Sequence, residues 1–432
     1  MTVLKPILKY RCDLLIGLAI FLSTFSIYSS LSVQLWKAAH QPFQHFDVLF
    51  EMDTPRVIDD MADSLARHSR TTVHPLYVLF VNPASRILSS FSETESCCAI
   101  AVVLNSLFGA GGVTLAFFLF RRMSGNLINA LLLSMIFAFS MSQLFLSMVP
   151  DTASLAVISL LVTYGLFWGS LYYKEVPMAV WIFAGVFSMG VTITNVMQTL
   201  ICFSIAKLFA AMRPRNSASS VKGVFRQVIF FGCGVLLVSV LLALVQKAVY
   251  PSTKLFFVSS EFSKEIGYMT IRIFRQPLNM ITQLFKHFFV VNVAGVSPYV
   301  FDVGEEVPAI TFSKAWNYSL YAFLTFAAWI FLVGAGVYYQ KYRGRGWFYA
   351  GLAGCLASNL ILHTVYGAGI SGEMEYFLYT GNFTALLLIM FLEPVLEMKN
   401  RFVRPLLILL LFSLAANNLL VIHDIISLYN GV

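Results

Sequence analysis

Six acidic side chains lie close together near the start of the chain, and basic and amphoteric side chains follow them. The acids are Asp47, Glu51, Asp53, Asp59, Asp60 and Asp63, and the residues that follow are Arg67, His68, Arg70 and His74. A carboxylate held within about 2.6–3.2 Å of a hydroxyl group can take its proton as a general base. A charge-rich segment is equally typical of a solvated helix face, so both interpretations stay open on the residues alone.

A helix-start signal lies inside this acidic segment. Thr54 has the side chain of an N-cap and Pro55 suits the first helical position. We therefore predict an amphipathic helix from about 55 to 69 along the membrane interface, and the stretch His74–Phe91 is predicted to pack beside the membrane. Asp53 would precede the first turn, either as a partner of the helix dipole or as a reactive group. The predicted polar face holds Arg56, Asp60, Asp63 and Arg67, and the apolar side holds Val57, Ile58, Met61 and Leu65.

Polar residues also gather at three later places. Asp151 follows Pro150 between two apolar segments, where it is either a helix cap or part of a site. A second cluster follows the apolar segment that ends near His363, and it contains Glu373, Glu375, Tyr376, Tyr379 and Asn382. Such groups at a membrane edge are costly without a function, although tyrosines also form interface belts. Basic residues between 249 and 315 suit a phosphate or lipid headgroups: Lys254, Lys264, Arg272, Arg275, Lys286 and His287.

The rest of the chain is strongly apolar. Hydrophobic residues make up 58% of the 432 and charged residues only 12%, and the mean hydropathy is +0.78. Because so few charged residues cannot cover a water-facing surface, we predict a single all-α polytopic membrane domain over 1–432. About eleven spans are predicted, at 14–33, 97–119, 126–148, 152–173, 177–192, 193–211, 227–248, 316–339, 347–366, 376–395 and 404–422. The segment 177–211 is the least certain and suits either a pair of helices or one long span.

The distribution of charge predicts which ends of the spans share a side. With the N-terminus inside, the inner loops hold 17 of the 29 basic residues and four of the 21 acidic ones: Asp13, Glu175, Glu393 and Glu397. That asymmetry follows the positive-inside rule, so the net charge of +8 does not indicate nucleic acid. The long outer segments are then 34–96 and 249–315. The inner loops are too short for a nucleotide-binding fold, and the glycines of Gly109–Gly112 are predicted to be a helix-packing site.

The stretch FEMDTPRVIDDM, followed by HPLY, resembles the first outer loop of glycosyltransferases of the GT-C superfamily. In these enzymes an acid, an amphipathic helix and a His-Pro-Leu segment lie between the first two spans. The similarity is closest to bacterial members that act on surface polysaccharides. It implies a GT-C-like fold, a sugar donor linked to polyprenyl phosphate and a glycan or lipid-linked acceptor. It also implies a bacterial inner membrane, with the site on the periplasmic side.

The resemblance also assigns roles to residues of this chain. Asp53 is similar to the catalytic carboxylate of the family's first loop, which acts as a general base, and the pair Glu51-x-Asp53 is similar to its acidic motif. Asp151 resembles a family position near the active site, and the cluster that contains His363 resembles the family's late outer loop, which contacts the donor phosphate or sugar. The metal stays unknown, with Mg²⁺ or Mn²⁺ open as a divalent cofactor. We expect the substrate contacts to come from Glu51, Arg56, Asp60, Arg70, His74, Asp151, His363, Glu373 and Tyr376.

Three other functions fit a polytopic membrane protein. A transporter or flippase places ionisable groups near the middle of the membrane, whereas here they gather at the predicted outer edge. A polymerase or ligase of lipid-linked glycans also works on the outer side, and composition does not separate it from a transferase. A structural partner would not need the acidic cluster.

Overall fold

The chain folds mostly into helices, which satisfy their own backbone hydrogen bonds at membrane depth. A computed structural model describes residues 4–90, 96–212, 221–260, 263, 276–302, 307–365, 375–397 and 402–431. The α-helices are α1 (Leu4–Trp36), α2 (Thr54–Ala62), α3 (Tyr77–Ser90), α4 (Cys97–Ser124), α5 (Leu127–Phe139), α6 (Met141–Met148), α7 (Ala153–Tyr172), α8 (Met178–Val191), α9 (Val196–Ala211), α10 (Val221–Val249), α11 (Pro277–Phe285), α12 (Leu320–Gln340), α13 (Gly346–His363), α14 (Gly381–Leu387) and α15 (Val403–Asn430).

Short helical turns and one small sheet complete the described fold. The 3₁₀ turns are Pro42–Gln44, Ser69–Thr72, Ile193–Asn195, Phe377–Tyr379 and Glu393–Glu397, and the π-helical turns are Lys286–Val291 and Leu388–Leu392. The strands β1 (Tyr299–Phe301) and β2 (Ala309–Thr311) pair antiparallel. The all-α prediction missed this hairpin because three-residue strands carry too little alternation to be recognised.

The protein is a polytopic membrane protein, as the sequence predicts. Seven described segments are long and apolar enough to cross a membrane, and an eighth forms if α5 and α6, bent by 60°, count as one span. The seven are Arg11–Trp36, Cys97–Ser124, Ala153–Tyr172, Ile193–Ala211, Val221–Val249, Leu320–Gln340 and Val403–Asn430. The segments predicted at 177–192, 347–366 and 376–395 form shorter or less apolar helices. The described residues therefore support seven or eight spans, and eleven stays a prediction.

Two local predictions about the spans are settled by packing. The rings of Trp181 on α8 and Phe203 on α9 meet edge-to-face with centroids 5.6 Å apart, so the segment 177–211 folds back as a pair of helices. A Cβ on Gly109 would lie 2.3 Å from the Ser147 hydroxyl, so this glycine lets α4 and α6 approach closely. The prediction of a helix-packing site is confirmed there.

The bend between α5 and α6 is closed by the second outer segment. Met141 N donates to Val293 O at 3.0 Å, and Ser142 N donates to Asn292 O at 3.1 Å. Asn418 on α15 donates its amide to Val293 O at 2.8 Å. A broken helix is tolerated at membrane depth where protein satisfies its free backbone groups, and these bonds do so.

The predicted helix at 55–69 is shorter than expected. It ends at Ala62 because the Asp63 carboxylate accepts a hydrogen bond from Leu65 N at 2.8 Å and closes a turn. The expected four-residue polar face is therefore wrong beyond Asp60. Thr54 is the first helical residue and Asp53 holds the N-cap position, so the predicted cap is shifted by one residue.

Ion pairs of the described residues join carboxylates and bases that the sequence places on the same side of the membrane. Asp13 pairs with Arg121 at 3.1 Å, and Glu175 pairs with Lys207 at 2.5 Å. Glu393 pairs with Arg343 and Arg345, and all the residues of these four ion pairs belong to the predicted inner set. Of the predicted outer set, Asp53, Asp60, Glu375 and Asp424 pair with outer bases. The predicted grouping of the two ends therefore agrees with the fold.

Candidate functional site

A strained loop carries the acid of the resemblance. In residues 47–53, here called the Asp53 loop, three residues other than glycine have left-handed backbone angles: Asp47 (φ 61°), Phe50 (φ 53°) and Glu51 (φ 59°). Such angles cost about 1–3 kcal/mol each and persist only where the surroundings enforce them. Strain of this kind clusters at functional sites, so the loop is a candidate on backbone geometry alone.

The Asp53 side chain faces two guanidinium groups. Its Oδ1 lies 3.2 Å from Arg56 Nη1, and its Oδ2 lies 3.4 Å from Arg70 Nε. The side chain makes no capping hydrogen bond to α2, although it holds the N-cap position. The carboxylate is 18% exposed and Arg70 is 25% exposed. The Asp53 side chain therefore makes ion pairs at a partly open surface and does not cap α2, and its position before the first turn leaves the interpretation as a partner of the helix dipole open.

Asp151 lies beside this pair. Its Oδ1 accepts a hydrogen bond from Ala153 N at 2.8 Å, so Asp151 caps the start of α7. This confirms the helix cap, which is one of the two roles that the sequence suggests for Asp151. Burial raises the pKa of Asp151 to about 6, and the Asp53 carboxylate adds to the rise, whereas the Ala153 N–H and the Arg70 guanidinium oppose it. Asp53, Arg70 and Asp151 therefore form one electrostatic group.

His74 adjoins the same group as a neutral imidazole. Burial and the nearby Arg70 charge lower the pKa of His74 to about 3, against the effect of its hydrogen bond to Val191 O. His74 Nδ1 lies 2.7 Å from Val191 O. A carbonyl oxygen can only accept, so Nδ1 carries the hydrogen and Nε2 is left as an acceptor. A hydroxyl group on a substrate is a suitable donor to it.

Asp60 does not lie on a solvated face. It is buried, its Oδ1 lies 2.8 Å from His68 Nδ1, and burial raises its pKa despite that contact. Tyr77 is buried, and burial raises its pKa, with a further rise from the carboxylates of Asp151 and Asp60. The expected contact between Asp60 and a substrate stays a prediction, and in this structure the carboxylate faces His68. The pair instead fixes the end of α2 to the turn that carries Arg70.

The second predicted cluster is a buried aromatic group. His363 and Tyr376 are both buried, and their rings lie against Phe288 at 5.4 Å and 6.1 Å. Tyr376 is therefore neither an interface residue nor a surface on which a sugar can stack. Tyr379 is half-buried and lies 4.5 Å from His363. Glu373 lies outside the described residues.

The two clusters are neighbours in the fold. Asn382 accepts a hydrogen bond from Asn195 Nδ2 at 3.3 Å, and Asn195 follows the end of α8, where Val191 holds His74. A Cβ on Gly381 would lie 3.6 Å from the Cβ of Ala153, two residues beyond Asp151. The start of α14 therefore lies next to the elements that carry His74 and Asp151.

Sequence reasoning missed the role of Glu375 and His287. Glu375 Oε1 lies 2.9 Å from His287 Nε2, and both side chains are buried. Burial alone would raise the pKa of Glu375, but the His287 charge and hydrogen bond, with hydrogen bonds from Thr311 and Phe377 N, lower it to about 2. The sequence signal was present, since both residues stood among the noted polar groups. Their separation of 88 positions in the chain (375 − 287 = 88) hid their pairing.

Lys286 is committed to the fold as well. Its ammonium donates to the carbonyl oxygens of Phe312, Ser313 and Ala315 at 2.6–3.0 Å, and it lies 4.0 Å from the centroid of the Trp316 ring. Burial lowers the pKa of Lys286 to about 8, although the Glu375 charge opposes the shift. The prediction that Lys286 and His287 offer their charges to a phosphate is therefore wrong for this structure.

The described residues do not fit a divalent cation. Among them, no three His, Cys, Asp or Glu side chains converge as metal ligands. Asp53 has both oxygens turned toward guanidinium groups, whose positive charge would repel Mg²⁺ or Mn²⁺. No step proposed below passes through a metal.

The site therefore consists of Asp53, Arg56, Arg70, His74 and Asp151, with Glu51 half-buried in the strained loop. Six of the ten residues expected from the sequence thus lie together. The chain matches no known protein-family model, and no curated protein matches it.

Proposed function

We propose that the protein is a membrane glycosyltransferase of the GT-C type. It moves a sugar from a polyprenyl-phosphate donor to a glycan or lipid-linked acceptor, on the non-cytoplasmic face of a bacterial inner membrane. One observation carries the proposal: the partly exposed Asp53 carboxylate stands in a strained loop between two arginines and beside a buried acid, at one end of the membrane helices.

The chemistry requires a base and a cationic partner for phosphate. Asp53 takes the proton of the acceptor hydroxyl while that oxygen attacks the anomeric carbon of the donor sugar. The bond between that carbon and the phosphate oxygen breaks, and polyprenyl phosphate leaves with the electron pair. A single displacement of this kind inverts the anomeric configuration.

The arginines supply the positive charge for the leaving group. A guanidinium group can bind a phosphate through two parallel hydrogen bonds. The Arg56 side chain, which contacts Asp53, is 49% exposed and can therefore be reached by a ligand. When a phosphate draws one arginine away, the Asp53 carboxylate loses a partner and is left to accept the hydroxyl proton. His74 Nε2 is placed to accept a hydrogen bond from another sugar hydroxyl.

The position of the charges supports surface chemistry more than transport. In the seven candidate spans, the described Asp, Glu, Lys and Arg residues lie within the first or last few positions of each helix. Transporters place such groups near the middle of the membrane, on broken helices. The broken span here is held by the neutral groups of Asn292, Ser142 and Asn418.

Asp53→Asn tests the proposed base. Reconstituted protein should lose about 10²- to 10⁴-fold in transfer of sugar from a polyprenyl-phosphate-hexose panel, with folding retained, because an amide cannot take the proton. Asp59→Asn is the matched control, since it makes the same change on an exposed side chain of α2 and should keep full transfer. Full transfer by Asp53→Asn would remove this residue from the mechanism.

Single cysteines test the side of the membrane. A cysteine at exposed Phe46 should react with an impermeant maleimide added to the periplasmic side, and one at exposed Tyr342 should react only after the membrane is opened. The reverse pattern would place the Asp53 end in the cytoplasm and overturn the proposed reaction on lipid-linked sugars outside.

A further inference from the structure

The strained Asp53 loop is held from one direction by an aromatic cage. Phe50 is fully buried, and its ring centroid lies 4.3 Å from Phe312, 4.9 Å from Phe377 and 5.0 Å from Phe145. The left-handed angle at Phe50 turns the chain so that this side chain enters the cage while Asp53, three residues later, stays at the surface. The position of Asp53 therefore depends on the position of these three rings.

The backbone of the loop is tied to the same region. Phe50 N donates to Ile310 O at 3.2 Å, and Ile310 N donates to Val48 O at 2.9 Å. Ile310 is the middle residue of β2. Displacement of β2 would thus move both the hydrogen bonds and one ring of the cage.

A single carboxylate holds two of the rings. Glu375 Oε2 accepts from Phe312 N at 2.8 Å and from the Thr311 hydroxyl at 2.6 Å, and Oε1 accepts from Phe377 N at 2.8 Å. The Ser313 hydroxyl also donates to Oε2 at 3.4 Å, and His287 Nε2 lies 2.9 Å from Oε1. Its Nδ1 lies 2.8 Å from a carbonyl oxygen, that of Gln283, and donates there, which fixes the ring with Nε2 toward Glu375. These groups are here called the Glu375 clamp.

We propose that Glu375 and His287 are positioning residues for Asp53, acting through Phe312, Phe377 and the caged Phe50 to hold the Asp53 loop in its left-handed form. The effect on sugar transfer rests on the proposed function, whereas the effect on the loop does not. The clamp itself touches no part of the Asp53 side chain, so its influence must pass through the cage.

Amide hydrogen exchange tests the loop directly. Glu375→Gln replaces one of the two acceptor oxygens of the clamp by an amide donor, so peptides covering 47–53 and 309–313 should both exchange about tenfold faster or more. Phe50→Leu removes the stacked ring and leaves the clamp intact, so only 47–53 should exchange faster. The double variant should exchange no faster at 47–53 than Glu375→Gln alone, because both changes release the same loop.

Glu393→Gln is the control for general destabilisation. It neutralises an equally buried carboxylate at the other end of the helices, and exchange of 47–53 should stay at the wild-type rate. An unchanged rate at 47–53 in Glu375→Gln, or an equal rise in Glu393→Gln, would overturn the positioning role.

Transfer kinetics separate this inference from the proposed function. Glu375→Gln should lower kcat about tenfold to a hundredfold with a smaller change in KM, because misplacing a catalytic group by about 1 Å has such an effect. A faster-exchanging loop with unchanged kcat, in protein where Asp53→Asn is inactive, would overturn the positioning role. If the loop exchanges faster in Glu375→Gln but Asp53→Asn is fully active, the effect of the clamp on the loop is supported and Asp53 is not the base.

Discussion

The two polar ends of the helices hold their carboxylates in opposite ways. At one end Glu393 is 0% exposed and accepts from Arg343 at 2.7 Å, Arg345 at 2.6 Å and the Tyr349 hydroxyl at 2.9 Å. At the other end Asp53 is 18% exposed, and its two arginines stand at 3.2 Å and 3.4 Å. A buried carboxylate with short, complete contacts has no capacity for a new partner, whereas a partly open one with longer contacts can exchange partners.

The backbone also differs between the two ends, because left-handed angles at residues other than glycine occur at the Asp53 end. Four described residues other than glycine have left-handed angles, and all lie between Gln41 and Glu51, at the Asp53 end. At the Glu393 end the described positive angles belong to glycines, Gly125 and Gly344, where no side chain is strained. Strain and incomplete ion pairing therefore coincide at one end only, which supports a structural role for Glu393 and a chemical one for Asp53.

The largest expected effect is on stability, at the Glu393 end. Glu393→Ala leaves two arginines facing each other without their carboxylate, and removing one partner of a buried ion pair costs about 3–5 kcal/mol. We expect the midpoint of unfolding in lipid nanodiscs to fall sharply, while the folded fraction keeps the wild-type transfer rate per molecule. A normal midpoint with lost transfer would reverse the assignment of the two ends.

Asp151→Asn should show a pH-dependent gain in stability. The pKa of Asp151 is raised to about 6, so folding favours its neutral form, and wild-type protein loses stability as pH rises from about 4 to 6. The asparagine variant lacks this loss, so its stability relative to wild type should grow over that range and then level off, by at most about 3 kcal/mol. Unfolding midpoints of both proteins between pH 4 and 8 measure the difference. A constant difference across the range would mean that Asp151 does not titrate there.

Sequence patterns predicted what depends on local composition. Apolar length located the spans, and charge asymmetry grouped the residues that pair at each end, such as Asp13 with Arg121. The dense acids led to Asp53, and its neighbours Arg70 and His74 follow it closely in the chain. Each of these predictions depends either on residues that are near one another in sequence or on the side of the membrane to which residues belong.

Contacts between distant segments were beyond those patterns. His287 and Glu375 look like separate polar residues in sequence, yet they form one buried pair. Tyrosine is a residue type typical of the membrane interface, but packing against Phe288 buries Tyr376. The prediction from helix periodicity placed the end of α2 beyond Ala62, because periodicity carries no information on an Asp side chain that closes a turn.

The smallest expected effect distinguishes the arginines of the two ends. Arg70→Lys keeps the positive charge near Asp53 and Asp151 but removes the planar group that can hold a phosphate through two bonds. Transfer should fall about tenfold, which corresponds to about 1.4 kcal/mol, with a change in unfolding midpoint within the range of surface substitutions.

Arg345→Lys is the matched variant at the Glu393 end. It removes a 2.6 Å bond to Glu393 and the guanidinium that lies 4.7 Å from the Trp168 ring, so it should lower the unfolding midpoint and leave transfer per folded molecule unchanged. Measuring both quantities for both variants gives a crossed pattern if the ends differ as described. Parallel losses of stability in the two variants, with transfer unaffected by Arg70→Lys, would mean that Arg70 is a structural residue like Arg345 and that the chemical role of the Asp53 end rests on the carboxylate alone.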